Sequence, residues 1–134
     1  MNQGRLPTEF RDRTKEFASS TIRLFVALPK DREEVRILGK QLLRSGTSVA
    51  AHVREASRAR SEEEFVSKLA GALQEADESQ LWLELLRDDC GVSHKSLPPL
   101  HQEAGELIAI LVTMINRTKA NIRNTKAEIG KAEN

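Results

Sequence analysis

Residues able to do chemistry are few in this chain of 134, and they are scattered. The three histidines, His52, His94 and His101, form no HExxH, HxH or ExxH pattern, so the spacing that puts metal ligands on one helical face is missing. Asp88, Asp89, Cys90 and His94 are close in sequence and could be drawn around a cation. Their spacing matches no known ligand set, and solvation of a helix end explains them better. Cys90 is the single cysteine, which excludes an internal disulfide or a cysteine zinc cluster and points to a reducing cytoplasm. It lacks a motif partner for nucleophilic catalysis, and there is no glycine-rich phosphate loop. The Asn116-Arg117-Thr118 sequon falls inside a predicted helix of a cytosolic protein. The expectation is a protein that is not an enzyme and holds no cofactor or metal.

Charge gives a second kind of chemistry. Residues 1–60 hold 13 Lys/Arg against 7 Asp/Glu, residues 61–106 hold 3 against 11, and residues 107–134 hold 5 against 2, although the net charge is only +1. On a helix turning about 100° per residue, Arg36 and Arg54 coincide, Lys40 and Arg58 lie about 40° on, and Arg44 about 80° on. All oppose the apolar face of their segment. A solvated face is the default reading of such a row. A phosphate-bearing partner would also use it, because each neutralised phosphate releases counterions. Arg117, Lys119 and Arg123 add a second basic group near the C-terminus. RNA or DNA is therefore a candidate partner, and the acidic segment at 61–106 is the rival for the same cations.

Four elements must position these groups. The first predicted helix runs from Arg11 to Leu28, with Phe10, Thr14, Phe17, Thr21, Leu24, Phe25 and Leu28 on one face, and Pro29 stops it. Asp31 is the expected N-cap of the second, which runs to Arg58 with Val35, Leu38, Leu42, Val49, Val53 and Ala56 as its stripe. The polar stretch Arg44-Ser45-Gly46-Thr47-Ser48 lowers helix propensity, yet the apolar phase continues across it, so one helix is expected. Ser61 and Glu64 form a capping box for the third helix, whose core residues include Phe65, Leu69, Ala72, Leu73, Ala76, Leu83 and Leu86, and Gly91 ends it. The fourth starts at Pro99 and reaches at least Arg123, carrying Leu100, Ala104, Leu107, Leu111, Met114, Thr118 and Ile122. Residues 1–123 are thus expected as one antiparallel, up-and-down four-helix bundle of the all-α class, with 124–134 a fraying polar tail. No apolar run is long enough to span a membrane, and no signal-peptide core precedes the first helix.

Several apolar residues fall outside these stripes. Ile22 and Val26 leave the core face of the first helix, Ile110 and Val112 flank that of the fourth, and Leu81, Trp82 and Leu85 point away from Phe65 and Leu83. One bundle needs only about a 100° stripe on each helix, so the surplus predicts a subunit interface. Gly46 and Ala50, four residues apart, would allow close backbone approach and join that candidate interface.

The stretch Leu42-Leu43-Arg44-Ser45-Gly46-Thr47-Ser48-Val49-Ala50-Ala51, followed by Arg54-Glu55-Ala56, Glu64-Phe65, Lys68-Leu69, Glu75-Ala76, Glu78 and Trp82-Leu83-Glu84-Leu85-Leu86, resembles a bacterial family. Its members are four-helix-bundle proteins encoded by intervening sequences in large-subunit (23S) ribosomal RNA genes. The likeness covers roughly residues 12–120, with His52 standing where the family usually has Asn. It implies a protomer of a ring-like homopentamer without known enzymatic activity. It also implies kinship with accessory variability proteins of diversity-generating retroelements, which are basic pentameric barrels that bind nucleic acid and associate with a reverse transcriptase.

Overall fold

The computed structural model describes residues 5–133, and the described residues form four helices and no strand. These are α1 (Thr8–Ala27), α2 (Glu33–Ser57), α3 (Glu62–Asp88) and α4 (Leu97–Glu133). Each packs antiparallel on its chain neighbour, α1 closes against α4, and the diagonal pairs do not touch. This is the expected up-and-down bundle. Its core follows the apolar stripes, from Phe10, Phe17 and Leu24 on α1 through Leu42, Val49 and Val53 to Leu69, Leu83, Leu107 and Leu111.

The helix ends show which local signals prevailed. Helix α1 starts three residues earlier than its apolar pattern predicted, with Pro7 at the N-cap and φ of −59°. Its C-cap Leu28 is extended because the residue before Pro29 is pushed out of helical geometry. Helix α2 is capped by Arg32 rather than the expected Asp31, and no side chain performs the capping. The first-turn charge comes from Glu33 and Glu34 instead, and Arg32 Nε donates to Glu34 Oε1 at 2.8 Å. Ser61 caps α3 as expected, its Oγ accepting from the Glu64 N–H at 3.0 Å. Gly91 takes φ of 69°, and beyond it the Val92 N–H bonds back to the Leu86 carbonyl at 2.9 Å.

Helix α4 corrects two expectations. It begins at Leu97, with Pro98 and Pro99 in a first turn that needs no backbone donors. It also continues as helix through the segment expected to be a fraying tail from Asn124. Pairs across the α3–α4 seam, His101 with Glu84 and Gly105 with Gln80, set an antiparallel register that brings Arg123 level with the start of α3. The 123/124 boundary is thus where α4 loses its neighbours, not where it ends. The last ten helical residues extend about 15 Å past the bundle. Ile129, on the continuation of the core stripe, is left 53% exposed.

The Arg44–Ser48 stretch is explained by what each residue meets. Arg44 is exposed, while Ser45 is buried and shares a 2.8 Å hydrogen bond with Ser79 of α3. Gly46 is buried on the α1 side, where an added Cβ would lie 2.6 Å from Thr21 Oγ1 and 3.0 Å from Thr21 Cβ. Thr47 and Ser48 donate back to the Leu43 and Arg44 carbonyls at 2.8 and 2.7 Å. Gly46 therefore serves contact within the protomer and drops out of the candidate subunit interface. Gly39 repeats the arrangement two turns earlier, against Leu28. Leu38 and Leu73, expected in the core, are only half-buried, and Ile115 rather than Met114 fills the last core layer of α4.

Gly46→Ala should lower stability by about 1 kcal/mol or more, because overpacking outweighs the gain in helix propensity. Gly130→Ala meets nothing within 4 Å and should raise helix content without lowering the melting temperature. Circular dichroism melts of the two variants check the contrast.

Candidate functional site

Helix α2 carries the basic row on the side facing away from the core. Arg36, Lys40, Arg44, Arg54 and Arg58 are all exposed. The salt bridges among the described residues engage Arg13, Arg23, Arg32, Arg60, Lys68, Arg87 and His101, and none reaches the row. From Arg36 to Arg54 it runs about 27 Å along the helix. Arg117, Lys119 and Arg123 are also exposed, but α4 sits diagonally from α2 and does not touch it. The eight cations grouped by sequence are therefore two groups. They approach each other only at the bundle end where α2 finishes.

The acidic third helix does not neutralise this row within the chain. Among the described residues the one ion pair across the α2–α3 seam has the reverse sense, Lys68 of α3 to Glu55 of α2 at 2.9 Å. Lys68 holds the Glu55 carboxyl below its ordinary value, mainly through that hydrogen bond, and Glu55 raises Lys68 in turn. The same seam contains His52, whose ring lies against Gly71, and its Nδ1 is buried without a hydrogen-bond partner. Glu75 Oε2 and Trp82 Nε1 are orphaned likewise. At about 100° per residue Asp77, Leu81, Leu85, Glu78 and Asp88 all project outward, so α3 presents an apolar pair ringed by carboxylates.

Of the apolar residues assigned to an interface, Ile22, Val26, Leu81 and Val112 are exposed, Val26 most at 62%. Trp82 and Ile110 are half-buried and pack on the core, and Leu85 and Ala50 are also half-buried. Ile37 and Ile129 are exposed apolar residues that the helical pattern did not single out. Ile37 follows Arg36 inside the basic row, so an eye following charge passes over it. Around Val26 lies an apolar groove of about 180 Å³ formed by Phe25, Leu28, Pro29 and Val35, with Lys30, Arg36 and Lys40 at its rim.

The seam between α1 and α4 is the thinnest of the four. Arg13 clamps it, with Nε and Nη2 donating to Glu103 at 2.7 Å each and Nη2 also to Glu106 at 3.0 Å. These carboxylates raise the Arg13 guanidinium further above its ordinary value, the Glu103 hydrogen bond most. Below the clamp, Glu16, Phe17 and Arg23 face Pro99 and Leu100 across a cleft of about 340 Å³. At the opposite corner His101 Nε2 meets Glu84 Oε2 at 2.8 Å. No three His, Cys, Asp or Glu among the described residues converge as a metal site, and Asp88, Asp89, Cys90 and His94 are no exception. No helix among them is long and apolar enough to cross a membrane.

Residues 8–113 match the 23S rRNA-intervening sequence protein family. The fold matches a crystal structure from Bacteroides thetaiotaomicron VPI-5482, described as a protein with unknown function from the S23 ribosomal protein family. Its TM-score is 0.71 and its identity 34%, over 78% of this chain and 96% of that one. No curated protein shows a significant match.

Two outcomes follow from these contacts. Arg13→Gln should cost up to about 1 kcal/mol, discounted for its exposure, and should speed amide exchange in α1 more than in α3. Glu34, Glu55 and Asp88 all have depressed folded-state values, through a backbone N–H, Lys68 and Arg87 respectively. Their contribution is present above the ordinary carboxylate range and is lost as pH falls through the depressed values. Thermal melts should be level from neutral pH down to about 5 and decline modestly below the ordinary Glu value of 4.5, because all three carboxylates are exposed. Glu55→Gln should flatten that fall.

Proposed function

The chain belongs to the 23S rRNA-intervening sequence protein family, and we propose that it acts as a non-catalytic, self-associating scaffold in the cytoplasm. The observation that carries this reading is the pairing of two unlike surfaces on one protomer. One is the apolar groove at Val26 with its rim of Lys30, Arg36 and Lys40. The other is Leu81 and Leu85 among Asp77, Glu78 and Asp88 on α3. Apolar matches apolar and the charges are opposite, so the α3 face of one copy fits the α1–α2 face of the next. Contacts between two different faces are heterologous, and such contacts make a ring when their rotation closes. Five copies is the number that the family resemblance implies.

Multi-angle light scattering at micromolar concentration should give about five times the 15.0 kDa chain mass. Val26→Asp and Leu81→Arg should each break the assembly, whereas Val112→Asp, on neither face, should leave it intact. A wild-type monomer overturns the proposal.

A second reading rests on the unpaired cations of α2. An accessory protein that binds RNA or DNA beside a reverse transcriptase would keep Arg36, Lys40, Arg44, Arg54 and Arg58 exposed and free of internal ion pairs. It predicts oligonucleotide binding that weakens about 10-fold or more between 50 and 200 mM salt. Replacing Arg44, Arg54 and Arg58 with Glu, all outside the Val26 groove, should abolish that binding without dissociating the oligomer.

A further inference from the structure

At the bundle end where α1 begins and α2 finishes, three cations surround a small cavity. It has a volume of about 140 Å³, several times that of a water molecule, and Thr8, Arg11, Asp12, Lys15, Ala50 and Arg54 contribute to its walls. Arg11 and Lys15 come from α1 and Arg54 from α2. The small Ala50 side chain leaves the space between them open. No salt bridge among the described residues involves any of the three. The Arg11 guanidinium makes one hydrogen bond, from Nη2 to Thr8 Oγ1 at 3.1 Å. Its Nε is buried without a partner. A buried donor left unsatisfied on a cation calls for an explanation, and an anion held among these three cations supplies one. Asp12 is the sole carboxylate in the wall, so three positive charges face one negative.

We propose that this cavity is a phosphate subsite. A tetrahedral oxyanion would accept from Arg11, Lys15 and Arg54 together, with the Thr8 hydroxyl at its edge. Arg11 reaches the anion by a side-chain rotation that brings its unpaired Nε–H out of the protein. The fork of a guanidinium suits two oxygens of one phosphate, and Lys15 adds a point charge. A broader groove of about 700 Å³ adjoins the cavity, shares Ala50 and Arg54 with it, and continues past Arg58 to Glu64 and the Lys68–Glu55 pair, so its free cations are Arg54 and Arg58. The phosphate can thus be free in solution or be one unit of a nucleic-acid strand lying along that groove. Arg11 and Lys15 were absent from the cations singled out by sequence, because they sit on α1 and join Arg54 only through packing.

The test uses the full chain and two probes. Inorganic phosphate is titrated against chloride at constant ionic strength while backbone amide shifts are followed by NMR. Saturable shifts should be confined to residues around Arg11, Lys15, Ala50 and Arg54. Lys15→Gln, exposed and safe for folding, should weaken phosphate binding at least 10-fold, as should Arg11→Gln. Lys95→Gln, an exposed cation in the α3–α4 loop at the opposite end of the bundle, should change nothing. In the second arm, anisotropy of a labelled single-stranded oligonucleotide is measured with the same variants. A 10-fold loss with Lys15→Gln, together with displacement by inorganic phosphate, identifies a nucleic-acid phosphate as the occupant. Phosphate shifts with oligonucleotide binding absent, or insensitive to Lys15→Gln, identify a free phosphate and leave the subsite standing without the nucleic-acid reading. Shifts spread over all exposed cations, no saturation, or equal binding by Lys15→Gln and wild type would overturn the subsite.

Discussion

Helix α2 has to lie against α1 and α3 at the same time, and the small residues on its two flanks let it do so. Gly46 admits Thr21 of α1 closer than any side chain would allow, while at Gly39 an added Cβ would meet the movable tip of Leu28. Ser45 meets Ser79 of α3, and both hydroxyls stay satisfied although buried, Ser79 also donating to the Glu75 carbonyl at 2.8 Å. The two flanks are set by consecutive residues, so changing one face of the Ser45-Gly46 step shifts the other. The remaining helices are arranged around this sandwich. Helix α4 extends it by packing on α3, and the Arg13 clamp reinforces the thin α1–α4 seam that completes the circuit.

That arrangement decides where the charge goes. Because α2 gives its flanks to α1 and α3, its cations can only face outward. The acids of α3 face outward too, on a different side, so the segregation written along the chain becomes segregation in space. The Glu55–Lys68 pair shows what internal neutralisation needs, namely two residues on the shared seam. Few charges satisfy that condition. The protomer is nearly neutral as a whole and strongly polar as an object, which explains why net charge alone says so little about its partners.

The fold was legible because its signals were strong and mutually consistent. Apolar periodicity placed Phe17, Leu42, Leu69 and Leu107 in the core, and the capping box at Ser61 fixed the start of α3. Propensity weighed against helix at Arg44–Ser48 and was overruled by packing, since Ser45, Thr47 and Ser48 each find a neighbour or a backbone carbonyl and Gly46 admits Thr21. What sequence could not show was contact between elements. It could not tell that Gly46 is used up within the protomer, that Asp31 stops one residue short of capping, or that the polar C-terminal segment remains helical once it leaves its neighbours. The candidate surfaces were half legible. A row on one helix shows itself by spacing, whereas the α1–α2 cavity is assembled from residues about 40 positions apart and leaves no periodic trace.

The unequal seams also bear on how the chain reaches this state. Three of the four helix–helix contacts join sequence neighbours through short connections, and the one long-range seam, α1 with α4, is the weakest. Low contact order of this kind goes with folding in microseconds to milliseconds. The α2–α3 hairpin, with the most extensive seam, is the natural nucleus, and α1 and α4 can each be added to it without waiting for the other. The Arg13 clamp then forms late. It would govern how fast the bundle opens more than how fast it folds.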